Sequence, residues 1–70
     1  MSEMRTVADV DAAVEKIRAM AGDAEVAHGA EDGLWSDVLR AIADGTAEDP
    51  QAMARAALET VNIDFARWCA

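Results

Sequence analysis

Residues 34–45 read LWSDVLRAIADG, and this stretch decides the class of the fold. Its large apolar side chains recur at three- and four-residue steps, which is the spacing of one face of an α-helix and not the alternation of a strand. The members of this face are Leu34, Val38, Ala41 and Ile42, with Trp35 and Leu39 at its edge. Gly45 follows as a residue that readily takes the left-handed conformation in which many helices end.

Upstream, this helix is predicted to extend over residues 24–44, although its first half is the weaker part. Gly29 and Gly33 each cost about 1 kcal/mol relative to Ala in a helix interior, so a kink or break near them is one interpretation. The other start that the pattern allows has Asp32 as the N-cap of a helix beginning at Gly33.

A first helix is predicted over residues 7–21. Thr6 and Asp9 have the spacing of a capping box, in which each side chain accepts a hydrogen bond from the backbone of the other residue. Gly22 is expected to end this helix in the left-handed conformation. The apolar stripe that should face the core consists of Val7, Val10, Val14, Ile17 and Ala21.

A third helix is predicted over residues 50–61. Asp49 is a preferred N-cap residue, and Pro50 is favoured at the first helical position. In the tail, Asp64 is expected to cap a short helical turn over residues 64–69 that covers the open end of the core. The expected stripe of the helix is Met53, Ala54, Ala57, Leu58 and Val61, and the covering side chains are Ile63, Phe65 and Trp68.

These patterns predict one domain over residues 1–70, an all-α three-helix bundle with a short C-terminal helical turn. Its core is expected to be thin, because 17 of the 70 residues are alanine. A chain this short buries too little apolar surface to be comfortably stable alone. The sequence therefore predicts contact with another protein surface, most simply a second copy in a homodimer.

Composition excludes several classes of protein. Cys69 is the one cysteine, so no disulfide forms within the chain. No apolar run approaches the about 20 residues that span a bilayer, and residues 1–5 lack the features of a secretory signal. We expect a cytoplasmic protein that binds no membrane. A net charge of −8 also argues against direct binding of nucleic acid, because that affinity depends on cations that neutralise phosphates.

The negative charge is concentrated in the middle of the chain. Residues 23–49 hold eight acidic residues and one basic residue, Arg40. Such a segment keeps a small domain soluble, and it also steers the domain toward a basic partner. A protein with a basic surface is the expected partner, and mimicry of a nucleic acid that blocks a basic host protein is an alternative.

One cluster conflicts with the amphipathic pattern, because His28 and Glu31 fall on the apolar side of the second helix if it is continuous. In one interpretation His28 pairs with Glu31 or Asp32 one turn away, and in another His28 lies in a loop before a helix that starts near Asp32. A third interpretation is metal binding, since Glu-x-x-His is a spacing found in di-iron helical bundles. The weak candidate ligands are Glu25, His28, Glu31 and Asp32.

Catalytic patterns are lacking in the sequence. The four glycines are too far apart for a phosphate loop, and a thiol at Cys69 has only Arg67 nearby to lower its pKa. We expect no enzymatic activity and no cofactor.

The two tryptophans are candidates for the core or for an interface. Trp35 is expected mainly in the core, whereas Trp68 suits a core or an interface equally. The residues expected to contact a partner are Trp35, Asp37, Asp44, Arg67 and Trp68.

Several motifs support a resemblance over residues 24–70. They are residues 28–32 (HGAED), Leu34, residues 38–45 (VLRAIADG), Asp49-Pro50 and the closing residues 63–70 (IDFARWCA). With these motifs the chain resembles a group of small proteins of actinobacteria and their bacteriophages. The resemblance implies an origin and no particular activity. It also implies that the His28 cluster and the aromatic tail belong to one unit, in which Arg67 pairs with Glu31 or Asp32.

Overall fold

The computed structural model describes residues 4–67, and the predicted all-α bundle is confirmed there. Three α-helices pack against one another: α1 (Val7–Ala19), α2 (Ala24–Asp44) and α3 (Pro50–Ala57). A short 3₁₀ helix, η1 (Leu58–Asn62), continues directly from α3. No strand is present within these described residues. None of the helices there has the length and apolarity needed to span a membrane.

The helix starts follow from the capping residues. The capping box of α1 is confirmed, because Thr6 Oγ1 accepts from Asp9 N at 3.2 Å and Asp9 Oδ2 accepts from Thr6 N at 3.1 Å. Asp23 caps α2 through Val26 N, and Asp49 caps α3 through Ala52 N. Each carboxylate satisfies an N–H group that the helix itself leaves without an acceptor.

The ends of α1 and α2 differ. Gly45 ends α2 in the left-handed conformation, with φ of 76°, as predicted. The same prediction for Gly22 is wrong, since Gly45 is the one residue with positive φ in the described part of the chain. Helix α1 ends at Ala19, and Asp23 N then donates to Met20 O at 2.8 Å. This tight turn leads straight into the N-cap of α2, so a left-handed glycine is not needed.

Helix α2 runs without a break through Gly29 and Gly33, so the alternative start at Asp32 is wrong. No atom lies within 4 Å of the Cβ that either glycine would carry, so close packing does not require glycine at these positions. Ala27 is fully buried in the first half of α2, and it anchors this half to the core. Tertiary packing thus outweighs the weak helix propensity of two glycines.

The prediction of one helix over residues 50–61 is wrong after Ala57. Helix α3 ends at Ala57, and the chain tightens into η1. In a 3₁₀ helix the side chains of residues i and i+3 eclipse, so Thr60 follows Ala57 into the core. Leu58 and Val61, which were expected on the buried stripe, are instead more than half exposed.

The core lies between the three helices and is closed by the C-terminal segment. Its fully buried side chains include Val10 and Ile17 from α1 and Met53 from α3. Ile63 and Phe65 are also buried, as predicted. Residues 64–67 are nevertheless not helical, so the helical turn expected over residues 64–69 is wrong in that part. Trp68 and the rest of the turn lie outside the described residues.

Candidate interaction surface

A carboxylate in the core-facing side of α2 finds a partner at the end of the described chain. Glu31 is only 4% exposed. Arg67 Nε donates to Glu31 Oε1 at 2.9 Å, and Arg67 Nη2 donates to Glu31 Oε2 at 3.1 Å. This two-pronged geometry matches the planar guanidinium to the carboxylate. The pairing of Arg67 with Glu31, implied by the resemblance, is therefore present.

The ion pair changes the ionisation of both groups. Hydrogen bonds from Arg67 lower the pKa of Glu31 below its ordinary value of 4.5, against a smaller opposing effect of burial. The same hydrogen bonds raise the pKa of Arg67. Glu31 is therefore charged at neutral pH although it is buried, because Arg67 replaces the water that it lost.

Arg67 also holds the C-terminal segment in its non-helical path. Its guanidinium donates to Thr60 O at 2.6 Å, to Ile63 O at 3.2 Å and to Phe65 O at 3.3 Å. It also stacks over the Phe65 ring, 3.9 Å from the centroid. The carbonyls of Ile63 and Phe65 lie beyond η1 and gain a donor in this way, whereas Thr60 O accepts from Arg67 in addition to Ile63 N at 3.0 Å. The contact of Arg67 with a partner protein stays a prediction; within the chain, its Nε, Nη1 and Nη2 atoms each donate to an acceptor.

A second polar contact lies next to this ion pair. Trp35 Nε1 donates to Thr60 Oγ1 at 3.1 Å and to Ala57 O at 3.2 Å. The Thr60 hydroxyl in turn donates to Ala57 O at 3.1 Å. Since Trp35 remains 37% exposed, its prediction as mainly a core residue is wrong. The indole instead joins α2 to η1, with one edge of the ring bound and the other part facing solvent.

Around Trp35 lies an apolar surface that sequence patterns assigned to the core. Six large apolar side chains are exposed within residues 4–67; besides Val26, three of them lie in the second half of α2 and two in η1, the elements that the indole joins. Trp35, Leu39 and Ile42 share one side of α2 at steps of four and three residues. Leu58 and Val61 directly follow Ala57 and Thr60, the residues that bind the indole. We call this set the apolar flank: Trp35, Leu39, Ile42, Leu58 and Val61.

A signal for the apolar flank was present in the sequence. The residues buried on α2 are Ala27, Glu31, Leu34, Val38 and Ala41. A helical wheel places Ala27 at the centre of this arc and Leu39 about 120° from it, well outside the buried residues, while Glu31 marks the edge of the arc on the side of Trp35 and Ile42. To include Glu31 in the buried arc requires a partner for its carboxylate, and Arg67 lies 36 residues further along the chain.

The two acidic interaction candidates lie on the other side of α2. Asp37 is half-buried and lines a groove between α1 and α2, while Asp44 is exposed at the end of α2. The groove has a volume of about 350 Å³ and is open to solvent along its length. Its apolar lining consists of Met4, Ala12, Ala13, Ile17, Met20, Ala30 and Leu34. These acids and the apolar flank therefore occupy separate surfaces.

The predicted metal candidates do not converge. His28 Nε2 lies 3.7 Å from Asp32 Oδ1 one turn away, which agrees with the interpretation of a local pair and excludes the one of a loop before the helix. Glu25 is exposed, and Glu31 is occupied by Arg67. Among residues 4–67, no group of three or more potential ligands is arranged to hold a metal ion.

Comparison of the chain with protein-family models, curated proteins and solved structures finds no match.

Proposed function

We propose that this chain is a small acidic protein–protein interaction module without catalytic activity, which acts as a homodimer and binds a partner with a basic surface. The observation that carries the proposal is the apolar flank. Leu39 is 66% exposed, and Leu58 and Val61 are each more than half exposed. Along α2 the exposed side chains of Trp35, Leu39 and Ile42 are neighbours, and an exposed apolar surface on a small protein is typical of a site that another protein covers.

Charge supports a basic partner. The net charge of −8 is large for 70 residues, and residues 23–49 account for −7 of it. Near the end of α2, Asp44 and Glu48 are both exposed. Charge of one sign on a surface speeds association with a partner of the opposite sign and selects against acidic ones.

Retention of proteins from a lysate tests the partner. Because the chain resembles small actinobacterial and phage proteins, an actinobacterial lysate is the appropriate source, and a phage-derived role in such a cell is part of the proposal. We expect the immobilised chain to retain a protein at low salt and to release it at high salt. A variant with Asp44→Asn and Glu48→Gln should lose that protein.

The control variant removes the same charge elsewhere. Asp11 and Glu15 are exposed on α1, so Asp11→Asn with Glu15→Gln gives an equal change in net charge. This control should retain the partner. If both variants lost the retained protein equally, the interaction would be non-specific charge attraction, and this result would contradict the proposal. Displacement of the partner by DNA would identify the interaction as nucleic-acid mimicry.

A further inference from the structure

The groove between α1 and α2 lies on a different side of α2 from the apolar flank, and we propose that it binds an amphipathic helix of the partner protein. The basic end of that helix lies beside Asp37, and its acidic end lies beside Lys16. This surface belongs to the basic partner of the proposed function, so the inference rests on that function. The lining comes from α1, α2 and two flanking methionines, so a fourth helix fits beside α1 and α2 without displacing α3.

The groove has the length and the open floor that a helix needs. Its lining along α1 runs from Asp9 to Met20, a rise of about 16 Å or three helical turns. Ala12, Ala30 and Gly33 also line it, and residues this small let another helix approach closely. No atom lies within 4 Å of the Cβ that Gly33 would carry, so the space above this residue is open.

Apolar side chains continue the groove toward the turn that joins α1 to α2. Met20 lines the groove at this end and is half-buried. Val26 is 52% exposed and lies seven residues, or about two turns, before Gly33, so both residues share one side of α2. A helix that covers the groove therefore shields Met20 and Val26 from water, and burial of apolar surface is what holds an amphipathic helix in a groove.

The other end of the groove, near the start of α1, is acidic. Asp9 and Asp37 line it there, because the first turn of α1 lies beside the second half of α2. Asp44 lies seven residues after Asp37 and therefore on the same side of α2. A hydrogen bond of 2.8 Å from Glu48 N to Arg5 O brings Glu48 to this end as well. The acidic end thus includes the two residues, Asp44 and Glu48, through which the proposed function attracts a basic partner.

Charge complementarity selects the partner helix. Arg5 and Arg40 lie near the acidic end, where the four acidic side chains outnumber these two basic ones. The opposite end carries Lys16, which has no ion-pair partner within residues 4–67. A helix with lysine or arginine at one end and an acidic residue at the other complements both ends, whereas an acidic helix meets like charges at Asp37.

Gly33→Leu and Gly29→Leu test the inference as a matched pair. Both glycines are exposed inside α2 with no atom within 4 Å of the Cβ that they would carry, but of the two Gly33 alone lines the groove. Leucine raises the helix propensity equally at both positions, and at Gly33 it also fills the groove. Circular dichroism should therefore show that both variants keep at least the helix content of the wild type.

The probe is a fluorophore-labelled synthetic peptide of about 14 residues, with leucine at heptad positions a and d, lysine in the first two turns and glutamate in the last. By fluorescence anisotropy, we expect wild type and Gly29→Leu to bind it with affinities within about twofold of each other. Gly33→Leu should bind it at least about tenfold more weakly, because its side chain occupies the space that the peptide needs. Wild type should bind a charge-reversed peptide, in which lysine and glutamate are exchanged, at least about tenfold more weakly.

Nuclear magnetic resonance of the ¹⁵N-labelled chain locates the peptide. The backbone amide signals of Ala12 and Gly33 should shift on titration, and that of Leu39 should not. Equal affinity of Gly33→Leu and wild type, equal binding of the two peptides, or shifts centred on Leu39 would overturn the inference. Movement of the Gly33 signal with protein concentration alone would also overturn it, since a second copy would then occupy the groove.

The lysate experiment separates this inference from the proposed function. If Gly33→Leu retained the salt-sensitive lysate protein as well as wild type does, the proposed function would stand and the groove would not be its site. If the peptide occupied the groove but no such protein was retained from the lysate, the result would support the inference and contradict the basic-partner function.

Discussion

Glu31 is the residue on which the C-terminal half of the fold depends. We expect Glu31→Gln to lower the free energy of unfolding by about 1–3 kcal/mol at neutral pH, because it replaces a charge-assisted hydrogen-bonded pair with a neutral one. Urea denaturation measures the change. The control is Glu15→Gln, since Glu15 pairs with Arg18 at 3.3 Å on the surface. That change should stay within about 0.5 kcal/mol. Equal effects would show that burial adds nothing to the Glu31–Arg67 pair.

The contribution of Glu31 to stability should also depend on pH. The pKa of Glu31 in the folded chain is lowered from 4.5 by Arg67. A group whose pKa is depressed on folding stabilises the fold above its unfolded pKa, and that stabilisation is lost as the pH falls through the folded pKa. The stability difference between wild type and Glu31→Gln should be complete at about pH 6 and should shrink below pH 4.5. A difference that is constant over this range would contradict the assignment.

Thr60 is a polar residue that the core needs. It is fully buried, and its hydroxyl both accepts from Trp35 and donates to Ala57 O. Thr60→Val keeps the shape but loses both bonds, so we expect a loss of about 1–2 kcal/mol in the free energy of unfolding. Thr46→Val is the control, because its hydroxyl bonds to Ala41 O at 3.4 Å on an exposed residue. Thermal denaturation that ranks the two variants in the opposite order would refute this role.

At the scale of the elements, two glycines with opposite backbone requirements provide a paired test. Gly29 lies inside α2 with no atom near its missing Cβ, whereas Gly45 has φ of 76°. Gly29→Ala should stabilise the chain by about 0.5–1 kcal/mol, since alanine has the higher helix propensity. Gly45→Ala should destabilise it by about 1 kcal/mol, since an L-residue is strained in that conformation. The melting temperatures of the two variants should therefore move in opposite directions.

The predictions that held for the elements were those with local causes. The caps at Thr6, Asp49 and Gly45 depend on residues within one turn, and the sequence shows them directly. The change to a 3₁₀ helix after Ala57 depends on Trp35, which lies 22 residues away, so local patterns continued the α-helix too far. The non-helical path of residues 64–67 similarly depends on the pairing of Arg67 with Glu31.

The candidate site was harder to predict than the fold, for a related reason. Leu39, Leu58 and Val61 are apolar at helical spacing, and such residues usually form a core stripe. They are exposed because Glu31 and Thr60 occupy the inward positions of their elements, and each of these polar residues is satisfied by a distant partner. Hydrophobic periodicity does not reveal these long-range contacts. It therefore cannot predict that a carboxylate is buried while a leucine is exposed.

For the whole molecule, net charge sets the response to salt. A chain of charge −8 repels itself in the compact state, and salt screens that repulsion. We expect the free energy of unfolding to rise with sodium chloride concentration. The measurement is made at low protein concentration, so that association between chains does not contribute. Stability that fell with salt would indicate that attractive ion pairs outweigh repulsion across the surface.

The position of Trp35 gives the protein a built-in optical probe. The chain has two tryptophans, so in a Trp68→Phe variant all indole fluorescence arises from Trp35. Because this ring is partly solvated and belongs to the apolar flank, a molecule that covers the flank removes water from the ring and should shift its emission to shorter wavelength. Titration of unlabelled protein then reports assembly at concentrations far below those that light scattering needs.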